Sequence, residues 1–186
     1  MKEEDESEEG PEKKEPIKAL LTGDGVVVRA PEDFEGLSSR GYGSSENGDL
    51  GLRFYEALYL LSKGIIEVVD VQTSSGVSFQ ELLRKYRSVS QDAWVRYLIY
   101  RDLRSRGYVV REGFGLGIDF RVYKRGEYGK STAEYLILGI QEGQPVSIED
   151  LARILTRVQS LKKAMVISVL NRRGEIVYYS LSRLAF

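Results

Sequence analysis

The sequence predicts an α+β fold in which a small N-terminal α+β domain is followed by a C-terminal mixed-sheet domain with two helices. Short helical and strand-like patterns alternate along the first half of the chain, and the second half reads as helix, three strands, helix and two strands. Before both lies an acidic segment with eight Asp or Glu and three Lys, which lacks the apolar residues that a core needs. We therefore predict a disordered acidic tail at 1–16, an N-terminal domain at 17–92 and a C-terminal domain at 93–186.

The N-terminal domain begins with strand and turn signals. "ALLTGDGVVVRA" at 19–30 predicts a hairpin around Gly-Asp-Gly, and 31–51 predicts a short helical turn at most, then a glycine-rich loop. "LRFYEALYLLSKG" is apolar on one helical face and stops at Gly64, whereas "IIEVVDV" is typical of a strand. Ser78 and Glu81 have the spacing of a capping box, so a second helix is predicted to begin there.

The C-terminal domain is predicted to begin with an amphipathic helix at 91–107 that has a basic outer face. Ser147 and Asp150 predict the start of a second helix, which we extend through Lys163. Segments rich in β-branched and aromatic residues predict five strands: "YVVREG", "IDFRVYK", "EYLILGI", "AMVISVL" and "EIVYYSLSRL". A mixed sheet of about five strands packed on two helices follows from this order.

The composition excludes several kinds of chemistry. The 186 residues include no Cys and no His, which removes disulfides, thiolate nucleophiles and the commonest general acid or base. No apolar run is long enough to span a bilayer, and the N-terminus is acidic where a signal peptide would be basic and then apolar. We therefore expect a cytoplasmic protein with no membrane partner.

Basic charge is concentrated in the second half of the chain. Residues 93–186 contain sixteen Lys or Arg and nine Asp or Glu, whereas 17–92 contain eight basic and eleven acidic residues. Such a surplus favours a polyanionic partner, although arginines scattered over a solvated surface give the same count.

Two further patterns are candidates for functional sites. Asp119 and Glu134 lie on adjacent predicted strands, but a metal-dependent nuclease of that kind carries a lysine where this chain has Leu136. "GYGSSENGDLG" lacks the lysine and the flanking strand and helix of a phosphate-binding loop. We interpret the two acids as structural and predict no metal and no cofactor.

An ordered set of segments nevertheless resembles a known family. "LRFYEALYLL", "RYLIYRDLRSRGYVVREGFGLGIDFRVYKRG", "AEYLIL", "IEDLARIL" and "VYYSLSR" are similar to segments of the archaeal tRNA-intron splicing endonucleases over nearly all of residues 50–183. The resemblance implies a nuclease-like C-terminal domain, assembly of four subunits and cleavage of pre-tRNA at a bulge-helix-bulge.

The resemblance also implies a metal-independent reaction. A tyrosine removes the proton from the ribose 2'-hydroxyl, a histidine protonates the departing 5'-oxygen, and a lysine stabilises the charged phosphate. The products are a 2',3'-cyclic phosphate and a 5'-hydroxyl. Separate acid and base are needed because the attacking and leaving oxygens lie on opposite sides of phosphorus.

In this chain the resemblance assigns the base to Tyr123 and the lysine to Lys163, with Lys162 as the alternative register. Thr132 stands where the family has its histidine, and Thr156 stands where active members carry an arginine that grips the bulged RNA. Tyr123 and Lys163 are then either relics with some residual function or packing residues.

Basic residues near the second helix and the last strand are the predicted RNA-binding residues: Arg153, Arg157, Lys162 and Arg183. The predicted hairpin tip "NRRGE" at 171–175 has Arg172 and Arg173 where relatives often have acids that dock into a neighbouring subunit. Leu184 and Phe186 follow the last strand and are covered either within the chain or by a partner.

These residues lead to three alternative functions. The first is the noncatalytic, structural subunit of a tRNA-intron endonuclease, which binds a catalytic paralogue in a two-plus-two heterotetramer. The second is a self-sufficient homomeric endonuclease with a non-histidine acid. The third is an RNA-binding module that has the fold without the assembly.

Overall fold

The computed structural model describes residues 15–23, 25–46, 48–115 and 117–184. Within these ranges the chain forms five helices and ten strands, and the strands make two five-stranded sheets. This confirms the predicted α+β fold class. The predicted disordered tail falls mainly on residues 1–14, which lie outside the described residues, as does Phe186.

The N-terminal sheet is built from five short strands: β1 (Ile17–Leu21), β2 (Val26–Val28), β3 (Ser44–Glu46), β4 (Asp49–Leu52) and β5 (Ile66–Asp70). Their order across the sheet is β3-β4-β2-β1-β5. β1 and β2 form the predicted antiparallel hairpin, with Ala19 opposite Val28, and β5 pairs parallel to β1 on its other side.

Between β2 and β4 the prediction was a short helical turn at most and then a glycine-rich loop, and it understated the helix and missed a hairpin. Residues 31–38 form helix α1 (Pro31–Ser38), and β3 and β4 pair as an antiparallel hairpin. Pro31 and the acids Glu32 and Asp33 in the first turn favour a helix start. The hairpin turn contains Gly48 with a φ of 86°, preceded in the sequence by asparagine, a common hairpin dipeptide.

The remaining N-terminal helices follow the prediction. α2 (Phe54–Ser62) ends before Gly64, which has a φ of 65°. α3 (Phe79–Val89) begins with the predicted capping box. The Glu81 backbone N–H donates to Ser78 Oγ at 3.3 Å, and the Ser78 backbone N–H donates to Glu81 Oε2 at 2.8 Å.

The C-terminal sheet contains the five predicted strands: β6 (Val109–Gly115), β7 (Ile118–Tyr123), β8 (Tyr135–Gln141), β9 (Ala164–Leu170) and β10 (Ile176–Leu181). Their order is β10-β9-β8-β7-β6, so β10 and β6 are the edge strands. β8 and β9 are parallel and the other pairs are antiparallel. Parallel neighbours need a crossover connection, which α5 (Ile148–Ser160) supplies.

α5 is shorter than predicted, because it ends at Ser160 and not at Lys163. Lys162 has a φ of 55°, the left-handed conformation that commonly terminates a helix. The Lys163 backbone N–H then donates to the Val158 carbonyl at 3.2 Å, which closes the helix end. Lys163 therefore lies in the connection between α5 and β9.

Helix α4 (Ala93–Ser105) joins the two halves of the molecule by contacting α2 and α3 on one side and the C-terminal sheet on the other. The larger buried cluster is continuous across both halves, with members as distant as Ala19, Tyr100 and Leu170. α5 covers the opposite face of the C-terminal sheet, where Leu136, Val158 and Met165 are buried. The boundary near residue 92 stays a prediction.

A buried carboxylate also connects the halves. Glu56 on α2 is 2% exposed and accepts hydrogen bonds from the backbone N–H groups of Gly43 and Arg53 at 3.2 and 2.9 Å. Arg111 on β6 forms an ion pair with it at 3.4 Å and donates to the Gly41 carbonyl at 3.0 Å. Burial raises the pKa of Glu56, with the hydrogen bond from Arg53 and the Arg111 charge acting in the opposite direction.

No helix in the described part of the chain is long and apolar enough to cross a membrane.

Candidate active site

Tyr123 is the last residue of β7, and the strand's alternation determines where its side chain lies. Val122 is buried in the large cluster on the α4 side, so Tyr123 lies on the other face of the sheet. Its ring packs edge-on against Tyr128, with ring centroids 5.0 Å apart and an angle of 90° between the planes. This contact restricts the orientation of a half-buried tyrosine at the end of the strand.

The loop after β7 is held by short-range contacts. Lys124 Nζ forms an ion pair with Glu134 Oε2 at 2.6 Å, across the base of the loop. The backbone N–H groups of Lys130 and Ser131 both donate to the Glu127 carbonyl at 3.0 Å. Thr132 is exposed immediately after this turn.

The side chain of Lys163, from the connection between α5 and β9, also lies at Thr132. Its Nζ donates to Thr132 Oγ1 at 2.6 Å, although the two residues are 31 positions apart. The Ala164 backbone N–H donates to the Glu134 carbonyl at 3.0 Å, which brings the start of β9 beside the start of β8. The parallel pairing of β8 and β9 therefore places Lys163 next to Thr132, the two residues to which the resemblance assigns the lysine and histidine positions.

An open depression of about 510 Å³ contains Tyr123, Tyr128, Thr132 and the loop residues between them. Ser38 and Ser39, from the end of α1, form its opposite wall. The structure thus brings Tyr123 and Thr132 to one surface, with Lys163 bonded to Thr132. We call this surface the Tyr123 depression.

Sequence reasoning missed three residues of the depression. Tyr128 lies in the segment that carries Tyr123 and Thr132, and an aromatic residue in a polar loop was a signal that could have identified it. Ser38 and Ser39 had no such signal, because only the packing of α1 against the C-terminal half brings them here.

The four predicted RNA-binding residues lie outside the Tyr123 depression. Arg153 and Arg157 line a different cavity, of about 430 Å³, beside α5, and Arg153 pairs with Asp150. Lys162 is exposed in the turn after α5, and Arg183 is exposed after β10. The structure therefore gathers the predicted base, Thr132 and lysine positions but leaves the predicted basic residues dispersed.

The position of Thr156 also differs from the prediction. Thr156 is exposed on α5, and its hydroxyl donates to the Ala152 carbonyl at 2.9 Å. Lys163 lies beyond the end of that helix, so the two residues are not on one helix, although the predicted helix extended through Lys163.

The two acids considered for metal chemistry have basic or backbone partners. Asp119 accepts from the Gly139 backbone N–H at 2.8 Å and pairs with Arg96 at 3.3 Å, and Glu134 pairs with Lys124. The residues that the structure describes contain no group of three or more His, Cys, Asp or Glu side chains that could hold a metal ion.

The fold and this site define a class of two-part α+β proteins in which a Tyr, a hydroxyl residue and a Lys meet at one end of a five-stranded mixed sheet. Two family models match the chain: the tRNA intron endonuclease N-terminal domain over residues 17–83, and the tRNA intron endonuclease catalytic C-terminal domain over residues 93–178.

Curated relatives agree with these matches. A tRNA-splicing endonuclease of Methanococcus maripaludis is 32% identical over 171 residues, which cover 92% of this chain and 96% of the relative. A tRNA-splicing endonuclease of Thermococcus onnurineus is 34% identical over 174 residues, which cover 93% of this chain and 99% of the relative. The chain therefore belongs to the tRNA intron endonuclease family.

Proposed function

We propose that this chain is the structural, noncatalytic subunit of a tRNA-intron splicing endonuclease. It binds a catalytic paralogue in a two-plus-two heterotetramer, and that assembly cleaves pre-tRNA at bulge-helix-bulge sites. The products are a 2',3'-cyclic phosphate and a 5'-hydroxyl.

The observation that carries this proposal is the group at the histidine position. Thr132 Oγ1 accepts a hydrogen bond from Lys163 Nζ at 2.6 Å at the rim of the Tyr123 depression, in a chain of 186 residues without histidine. A threonine hydroxyl is far too weak an acid to protonate a leaving alkoxide near neutral pH. The site therefore has candidates for the base and for charge stabilisation but lacks a general acid.

Neighbouring lysines are poor substitutes for that acid. A lysine ordinarily has a pKa of about 10.4, well above the range in which it transfers a proton efficiently. The hydrogen bond with Glu134 and the charge of that carboxylate raise the pKa of Lys124 further. Lys124 therefore holds its proton more firmly than an ordinary lysine does.

Assembly with a second chain is supported by the edge of the C-terminal sheet. β10 is an edge strand, and on its α5 side Val177 and Tyr179 are 40% and 55% exposed. An edge strand with exposed apolar and aromatic side chains favours contact with another protein surface. The turn before β10 carries Arg172 and Arg173, which favours a partner with acidic groups.

The charge distribution of the chain and the names of its relatives both support a pre-tRNA substrate. The excess of basic residues at 93–186 favours a polyanion, and the curated relatives are named tRNA-splicing endonucleases.

A reconstitution experiment tests the proposal. An intron-containing pre-tRNA is incubated with this chain, with a histidine-containing paralogue, and with an equimolar mixture. We expect cleavage with the mixture and none with this chain alone. Replacement of Lys163 by Met in this chain is expected to leave the rate of the mixture within about twofold, since a structural subunit supplies no catalytic group.

Two results would contradict the structural-subunit role. Cleavage by the purified chain alone, lost in the Lys163→Met variant, would establish a self-sufficient homomeric enzyme. RNA binding without any association with the paralogue would instead establish an RNA-binding module.

A further inference from the structure

A second pocket lies on the α4 side of the C-terminal sheet and is separate from the Tyr123 depression. Its volume is about 320 Å³, and its walls include the three tyrosines Tyr108, Tyr135 and Tyr178. Arg106 and Arg125 also line it, and apolar side chains from α4, β7, β8 and β9 complete the wall. We call it the tyrosine pocket.

One wall of the tyrosine pocket is fixed by a small network. The Tyr178 hydroxyl donates to Asp102 Oδ2 at 2.6 Å, and Arg106 Nε donates to the same oxygen at 2.7 Å. The Arg106 guanidinium carbon also lies 5.5 Å from the centroid of the Tyr178 ring. Burial and the hydrogen bond to Asp102 raise the pKa of Tyr178, so its hydroxyl stays neutral and keeps donating. The ring is therefore held in place before any ligand arrives.

Another part of the pocket wall carries the positive charge of Arg125. The Arg125 guanidinium carbon lies 5.4 Å from the centroid of the Tyr108 ring, and Arg125 is exposed. Within the described ranges, Arg125 has no carboxylate partner. A guanidinium held near an aromatic ring keeps N–H groups free to bind a phosphate in a bidentate way.

We propose that the tyrosine pocket binds one unstacked nucleotide of the RNA substrate, with the base among the tyrosines and its phosphate on Arg125. Proteins bind single-stranded RNA by stacking splayed-out bases on aromatic rings and on guanidinium planes. The pocket combines both kinds of surface with an apolar interior, and its volume is at the small end of the range for ligand pockets, which suits a single nucleotide.

The location of the pocket supports an RNA occupant. Val122 lines the tyrosine pocket and the next residue, Tyr123, lines the depression, so the two sites lie on opposite faces of the same end of β7. The turn at Lys124 and Arg125 connects them. An RNA strand that crosses this turn contacts both sites, which extends RNA recognition beyond the cleavage position.

This inference rests on the proposed function only in that the substrate is RNA, and its test requires no cleavage. The probe is a short single-stranded RNA with one 2-aminopurine, whose fluorescence falls when the base stacks. Arg125→Gln is expected to weaken binding about tenfold, the effect of losing one stacked and phosphate-bound nucleotide. Arg125→Lys keeps the charge without the bidentate guanidinium and is expected to restore only part of the affinity.

The matched control is Arg87→Gln, which removes the same charge from an exposed arginine in the last turn of α3. We expect its effect on binding to stay within about twofold, as for one distant charge. Circular dichroism establishes that both variants are folded. If both variants lose RNA affinity equally, the protein binds RNA by general charge attraction and not through the tyrosine pocket. That result would overturn the proposal.

Cross-linking provides a second, positional measurement. A single 4-thiouridine in the same RNA is expected to cross-link to Tyr108, Tyr135 or Tyr178, and the cross-link is expected to weaken in Arg125→Gln. Cross-links confined to other surfaces would overturn the proposal. So would an Arg125→Gln variant that binds RNA normally but associates poorly with the paralogue, because the pocket would then bind protein.

Discussion

At the scale of single residues, the contact between Lys163 and Thr132 determines the chemistry of the site. The lysine ammonium donates to a hydroxyl oxygen at 2.6 Å, which places a cation and a weak acceptor where a proton donor is needed. The chain therefore lacks the RNA-gripping arginine, at Thr156, and the catalytic histidine, at Thr132, that the family resemblance implies.

Restoring the histidine gives a direct prediction. We expect Thr132→His to give this chain cleavage activity on an intron-containing pre-tRNA, because an imidazole titrates near neutral pH and would lie beside Lys163 at the Tyr123 depression. A positioned general acid contributes about 100-fold to 10,000-fold in rate, so cleavage by the variant should exceed the detection limit for the wild-type chain by at least about 100-fold. The measurement is single-turnover cleavage with end-group analysis.

The control combines Thr132→His with Tyr123→Phe, which removes the hydroxyl and keeps the ring packed against Tyr128. This double variant is expected to lose the restored activity. If Thr132→His gives no activity although the protein is folded and binds RNA, a further group is missing, and the absent histidine is not the sole reason for inactivity.

At the scale of secondary-structure elements, much of the fold could be predicted from sequence. The capping boxes, the amphipathic pattern of α4 and the β-branched segments of the second half indicated elements that the structure confirms. The prediction gave only a short helical turn where α1 forms, and it missed the β3–β4 hairpin. The local signals at Pro31 and Gly48 were given less weight than the many glycines of this segment. Residue placement in the site needed tertiary information, because parallel pairing joins Thr132 to Lys163 and helix packing brings Ser38 to the depression.

Glu56 on α2, which pairs with Arg111 on β6, leads us to predict that the free energy of unfolding depends on pH. Burial raises the pKa of Glu56 above its usual 4.5, so between 4.5 and the raised value the folded protein binds this proton more tightly than the unfolded chain. The stability contribution of Glu56 is therefore complete below pH 4.5 and is lost as the pH rises through the folded pKa.

The Glu56→Gln variant tests whether this stability contribution decreases as the pH rises. The difference in unfolding free energy, wild type minus variant, is expected to decrease as the pH rises above 4.5, and urea unfolding at a series of pH values measures it. The control is Glu112→Gln, which removes a half-buried carboxylate paired with Arg53. A difference that increases with pH would show that the Arg111 ion pair outweighs burial.

At the scale of the whole molecule, the edge of the C-terminal sheet is the surface that the proposed assembly uses. Tyr179→Lys places a charge on the exposed α5 side of β10, and we expect it to weaken association with the paralogue at least tenfold, roughly the effect of losing an aromatic interface residue. Sedimentation velocity measures the association. Ser180→Lys is the matched control, because the neighbouring side chain lies on the opposite face of the same strand. Equal effects of both substitutions would exclude the α5 side as the contact surface.

The continuous buried cluster has a consequence for synthesis of the protein. Tyr55 and Leu58 on α2 are almost completely buried, and α4 is the helix that makes the most contacts with α2. During translation, α2 leaves the ribosome before α4, which follows it by about 30 residues, or a few seconds at ordinary elongation rates. In that interval β5 and α3 can already pack on α2, but the part of α2 that α4 covers lacks its partner helix. We therefore expect the nascent chain to bind chaperones until α4 has been synthesised.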